Sequence, residues 1–186
     1  MKIQVKIPII ISVLVLIGIS GYSQKYLTKN GEIRLYSETP LETVNPDNKQ
    51  VNSALDITTG DFVFKVLMKS FVFEKALMQE HFNENYVESD KFPNATFQGK
   101  VTNIKSIDFT KPGSYDVQVE GDLTIHGVTR KISEKGNFTV ESGDKIHGTS
   151  TFFVKPADYD IKIPSAVMGK IAESMQVIVD VELAKI

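Results

Sequence analysis

The chain has 186 residues, the size of one domain, with 41% hydrophobic residues and no cysteine. A formal net charge of −2 excludes the broad basic surface that nucleic acid requires. The missing cysteines exclude a disulfide framework and a thiolate metal site.

The first residues form a unit of their own. Lys2 and Lys6 make a short positive region, and Ile7 to Ile19 is apolar except at Pro8, Ser12 and Gly18. That run is shorter than the roughly 20 residues a membrane span needs. Gly21 and Ser23 then occupy the −3 and −1 positions of a cut before Gln24. The pattern predicts a secretory signal peptide over residues 1–23, a mature domain over 24–186, and no membrane span once the signal is removed. Without Lys2 and Lys6, 19 basic residues face 23 acidic ones, a mature charge of −4.

In chain order, weak strands are predicted near Ile33–Ser37 and Val51–Ile57, closed by Thr39-Pro40 and Thr59-Gly60. Phe62, Phe64, Val66 and Met68 then alternate with Val63, Lys65 and Leu67. Glu74 to Phe82 reads as a helix of good helix formers carrying Ala76, Leu77, Met78 and Phe82. Ala95–Val101 is a further strand, and Ile104–Phe109 another, ahead of the Lys111-Pro112-Gly113-Ser114 turn.

The clearest element follows. From Tyr115 to Ile125 the odd positions are Tyr115, Val117, Val119, Gly121, Leu123 and Ile125, and the even ones are polar. Such alternation belongs to a half-buried strand. His126-Gly127 suits a two-residue hairpin turn, which places Ile125 and Val128 on one side of the sheet. The inward set must then switch to even numbers, and Val128, Ile132, Phe138 and Val140 do so; Arg130 and Glu134 interrupt that face. Ser142-Gly143-Asp144 turns into Lys145–Val154, with Ile146, Gly148, Ser150, Phe152 and Val154 in phase. Ser165 to Ser174 shows helical spacing after Pro164, with Val167, Met168, Ile171 and Met175. The last strand is Gln176–Leu183, with Val177, Val179, Val181 and Leu183 inward.

About eight antiparallel strands joined by hairpins favour a closed barrel, because closure removes the edges. The fold class is therefore mainly all-β, an eight-stranded antiparallel barrel with one or two short helices. A barrel of this size is either filled by side chains or holds one ligand, and periodicity does not decide between them.

Two sequence blocks resemble the YceI-like family of exported lipid-binding proteins. One is Gly121-Asp122-Leu123-Thr124-Ile125-His126-Gly127-Val128-Thr129; the other is Glu80-His81-Phe82 followed by Lys91-Phe92-Pro93-Asn94-Ala95-Thr96-Phe97. The resemblance spans roughly Ser53 to Leu183. It implies a lipocalin-like barrel with an inserted helix, an isoprenoid-type lipid held for transport or storage, and a periplasmic or secreted location. The tail would lie against Phe62, Phe64, Phe97, Val117, Val119, Leu123, Ile125, Ile132, Phe138 and Phe152, with the head group near His81 or Arg130. The Arg-Asp pair often found in the family ahead of the helical His is replaced here by Met78-Gln79. The rival reading is a filled-core structural or protein-interaction module of the cell envelope, and a homodimer stays open under either.

Enzymatic chemistry is not expected. There is no Gly-x-Ser-x-Gly nucleophile elbow and no phosphate-cradling glycine loop, and the strand carboxylates other than Glu134 fall on the outward face. Of the three histidines, parity turns His147 outward and the turn takes His126, so neither a metal site nor a cofactor is expected.

Overall fold

The central hairpin organises the molecule. In the computed structural model, which describes residues 24–142, 144–167 and 169–186, Gly113–Ile125 and Val128–Glu141 pair along their whole length, from Gly113 opposite Val140 to Ile125 opposite Val128. His126 and Gly127 both take positive φ, 51° and 76°, the backbone that a type I′ hairpin demands. The predicted signal peptide lies outside the described residues, as do Gly143 of the 142–144 turn and Met168.

Nine strands are described: β1 (Lys25–Glu38), β2 (Thr43–Val44), β3 (Asp47–Asp56), β4 (Asp61–Leu67), β5 (Asn94–Val101), β6 (Gly113–Ile125), β7 (Val128–Glu141), β8 (Lys145–Val154) and β9 (Met175–Lys185). All ladders are antiparallel. From β3 to β9 each strand pairs with the next, β1 pairs with both β3 and β9, and the two-residue β2 hangs on β1. The result is a closed eight-stranded barrel, as the hairpin pattern predicts.

The phase switch holds: Val117 on β6 and Phe138 and Val140 on β7 are buried, as are Ile146 on β8 and Val177, Val181 and Leu183 on β9. The N-terminal strand is much longer than the five residues its weak pattern marks. Tyr26 is buried at an even position, whereas Gly31, Ile33 and Ser37 are buried at odd ones. Bulges between Thr28 and Ile33 slip the register and flip the parity, which hides the strand from a strict period-two reading.

Two predicted elements are corrected. Ile104–Phe109 is not a strand; it holds a single 3₁₀ turn at Ile104–Ser106. Its buried residues, Ile104 and Ile107, are three apart, the spacing of a turn. Asn103 replaces the missing ladder, donating to the Asp116 carbonyl at 2.9 Å and accepting from the Gln118 amide at 2.9 Å. The predicted 165–174 helix shrinks to the turn Ser165–Val167. Gly169 lies two residues on, and the Ala172 amide donates to Ser37 Oγ at 2.8 Å, so the segment is drawn across the end of the barrel.

The helix expected at 74–82 exists in part. α1 (Ala76–His81) continues into a π turn, Phe82–Tyr86, closed by the Val87 amide donating to the Phe82 carbonyl at 2.9 Å. The wider turn brings Phe82 and Val87, five residues apart, onto one apolar surface. His126 fastens this end. Its Nδ1 lies 3.1 Å from the Tyr159 carbonyl, its Nε2 2.7 Å from Glu88 Oε2, and its ring stands edge-on to Phe92 at 4.5 Å. The turn histidine thus ties the 82–92 segment and the 156–159 turn to the central hairpin.

Two apolar clusters fill the interior unequally. The lower one gathers Tyr26, Leu55, Phe62, Val101, Ile104, Ile107, Val117, Phe138, Val140, Ile146, Val181 and Leu183, all buried. The upper one, at the α1 end, contains Ile33, Val51, Val66, Met68, Phe71, Val87 and Val177, with many neighbours only half-buried.

Candidate functional site

The upper half of the barrel encloses a cavity of about 190 Å³, apolar nearly throughout. All ten side chains predicted to face a ligand line it: Phe62 and Phe64 from β4, Phe97 from β5, Val117, Val119, Leu123 and Ile125 from β6, Ile132 and Phe138 from β7, and Phe152 from β8. A chain of edge-to-face contacts crosses its lower part, from Phe97 to Phe64 at 6.3 Å, Phe64 to Phe62 at 4.7 Å and Phe62 to Phe138 at 5.7 Å.

Glycines widen this chamber. Gly99 and Gly121 stand directly opposite each other on β5 and β6. A Cβ on Gly99 would meet Phe97 Cζ at 2.5 Å, and one on Gly121 would meet the same atom at 2.8 Å. The Phe97 ring therefore lies flat over the two bare positions and leaves the middle of the barrel open. On the far side the bare Gly148 gives the Phe138 ring room, the ring lying 3.2 Å from where a Cβ would stand.

Toward α1 a second cavity of about 370 Å³ adjoins the first. Phe82, Val87, Pro156, Ile161 and Met175 line both, so the outer space is the mouth of the inner one. Its rim carries polar groups: His81, Lys75, Glu42 and Lys170. Lys75 Nζ and Glu42 Oε1 form an ion pair at 2.5 Å. This pairing holds the Glu42 carboxyl below its ordinary value and the Lys75 ammonium above its own.

The two head-group candidates part company. His81 is on the rim of the mouth. Arg130 lines neither cavity; it is exposed, and its Nε donates to the Asp158 carbonyl at 2.9 Å, across the outside of the hairpin end. Loops supply wall residues that periodicity does not reveal. Phe71, Phe82, Val87 and Ile161 lie outside the strands, where no alternation marks an inward face. Ile33 and Leu35, from the weak strand predicted near Ile33–Ser37, line it as well.

Glu134, which interrupts the inward face of β7, does belong to the cavity wall. Burial pushes its carboxyl above the ordinary value of 4.5. A glutamate so shifted holds its proton longer in the folded chain than in the unfolded one. Its stabilising contribution is full in acid and is lost as pH rises through the raised pKa. Glu134→Gln cannot ionise, so its stability relative to wild type should improve steadily from acid to neutral pH. Urea midpoints measured on both proteins across that range give the result; a difference that does not change with pH would contradict it.

Among the described residues no group of three or more His, Asp or Glu side chains is placed to hold a metal ion. His147 points outward and bonds Asp180 Oδ1 at 2.8 Å. No described helix is long and apolar enough to cross a membrane.

The YceI-like domain model matches residues 28–183, nearly the whole barrel. The chain belongs to the YceI-like family. Solved structures share its fold at low identity. A polyisoprenoid binding domain from Saccharophagus degradans is 15% identical, with a TM-score of 0.77 over 88% of this chain and 99% of that one. BcnA of Burkholderia cenocepacia is 13% identical, with a TM-score of 0.65 over 83% of this chain and 96% of its own. The YCEI protein of Campylobacter jejuni is 17% identical, with a TM-score of 0.58 over 75% and 83% of the two chains. No curated protein matches the sequence.

Proposed function

We propose that this YceI-like barrel is an exported, non-enzymatic binding protein that holds the tail of a polyisoprenoid or similar amphiphilic lipid, for transport or storage in the periplasm or outside the cell. The observation that carries this reading is the apolar chamber behind a wider, polar-rimmed mouth. Ligand sites are concave and mostly apolar with a few placed polar groups, and this one matches that description. The likeness to a polyisoprenoid binding domain agrees with it.

The energetics favour a tail. Each buried methylene is worth about 0.8 kcal/mol, so some ten of them supply about 8 kcal/mol before ordering costs. No strong polar anchor is required. The polar head would rest in the mouth, among His81, Lys75 and Lys170.

Two measurements test the proposal. Organic extraction of protein purified from its native envelope, followed by mass spectrometry, should yield a prenyl lipid, and stripped protein should take up added prenyl lipid. An empty extract together with no uptake would refute lipid binding. Export is tested separately: N-terminal sequencing of the mature protein should begin at Gln24.

A further inference from the structure

We infer that the aromatic floor formed by Phe62 and Phe138 sets the length of tail this barrel accepts, so that the protein selects among isoprenoid chains by how many units fit above it. The inference rests on the lipid-binding reading and adds a specificity to it.

The lower half of the barrel is occupied by packed side chains. Phe62 and Phe138 are 4% and 2% exposed, and their rings meet edge-to-face at 5.7 Å. Both belong to the cavity wall and also to the lower cluster, which makes them the boundary between open and filled space. Leu55, opposite Phe62 on β3, and Ile146 and Leu183 below are 1%, 0% and 0% exposed, and none lines the cavity. Ile104 and Ile107 close the bottom from the 102–112 loop.

The boundary is held from the side as well. Gly148 faces Phe138 across the β7–β8 ladder, and a Cβ there would touch both the Phe138 ring and Val181 Cγ2 at 3.2 Å. The bare Gly148 leaves the ring room where it meets Phe62 from the opposite wall, and that pair stops the tail. The open inner space, about 190 Å³, is only a little larger than the roughly 150 Å³ cavity that takes up a benzene molecule. A tail therefore gains burial for a few isoprene units and none beyond the floor.

The test is a length series. Geraniol, farnesol, geranylgeraniol and longer polyprenols are titrated against stripped full-length protein by competition with a fluorescent fatty probe. Wild-type affinity should climb with each added unit, then level off once the tail reaches the floor. Phe138→Ala removes the boundary and should move the break to a longer prenol. Val179→Phe, on the wall just above, should move it to a shorter one and serves where Phe138→Ala does not fold. A wild-type affinity that keeps climbing without a break, or a break unmoved in the folded variants, overturns the inference. If wild type binds no member of the series, the lipid-binding reading itself fails.

Discussion

Gly121→Val should unfold the barrel or destabilise it by about 3 kcal/mol or more, the upper end of what overpacking costs. A Cβ at this position would stand 2.5 Å from the Gln98 carbonyl oxygen and 2.5 Å from Gly99 Cα. Both are backbone atoms of the neighbouring strand and cannot turn aside as a flexible side chain would. Relief requires β5 and β6 to separate, which breaks the ladder that supports the Phe97 side of the chamber. Gly113→Ala on the same strand is the control, because its Cβ would meet only the Tyr115 ring, at 3.4 Å. Urea unfolding should show a large drop in midpoint for the first and a small one for the second. Comparable midpoints would mean that the close approach at Gly121 is not a real constraint.

The second large effect separates the two halves of the barrel. Leu183→Ala, at a fully buried position below the floor, should cost about 2–5 kcal/mol. Leu123→Ala changes a half-buried side chain on the chamber wall and should cost about 1 kcal/mol, because part of its surface already lacks packed neighbours. Lipid uptake should respond the other way, falling for Leu123→Ala and staying near wild type for Leu183→Ala wherever that variant is folded. Thermal unfolding with and without added lipid measures both. Equal stability losses at the two sites would dissolve the distinction between a packed base and an open chamber.

Much of this architecture is legible from alternation alone. The odd run from Tyr115 to Ile125, the His126-Gly127 turn and the even run after it fix the inward face of the longest hairpin, because a strand's side chains can only point two ways. Once that phase is set, Ile146 and Val181 follow by register. What escapes is whatever breaks period two. The slip between Thr28 and Ile33 flips the inward side within a single strand, so β1 looks like noise punctuated by a short motif. Ile104 and Ile107 resemble a strand in composition, yet their spacing of three belongs to a plug. The helical spacing near Ile171 comes from residues that face the mouth, and Gly169 and the Ser37 hydroxyl keep the backbone out of a helix.

The open or filled state of the interior is a different kind of question. Phe138 and Phe64 both point inward and both line the cavity, yet the first is buried and the second only half-buried. The difference arises from what stands opposite, a matter of volumes summed across eight strands that no single stretch of sequence displays. Arg130 makes the same point at the surface. Parity turns it inward, but the Asp158 carbonyl, distant in sequence, holds it outside.

The ladder between β1 and β9 joins the first described strand to the last, with Tyr26 opposite Lys185 and Leu35 opposite Val177. No other strand pair in the barrel links residues so far apart along the chain, so this seam carries the largest loop-closure entropy in the molecule. Of the barrel strands, synthesis delivers β1 first and β9 last. In the interval β1 offers a row of unpaired N–H and C=O groups along one side, and the apolar wall behind it has no cover. The same closure that leaves the finished barrel without an edge therefore makes its unfinished form the most adhesive stage in the protein's life.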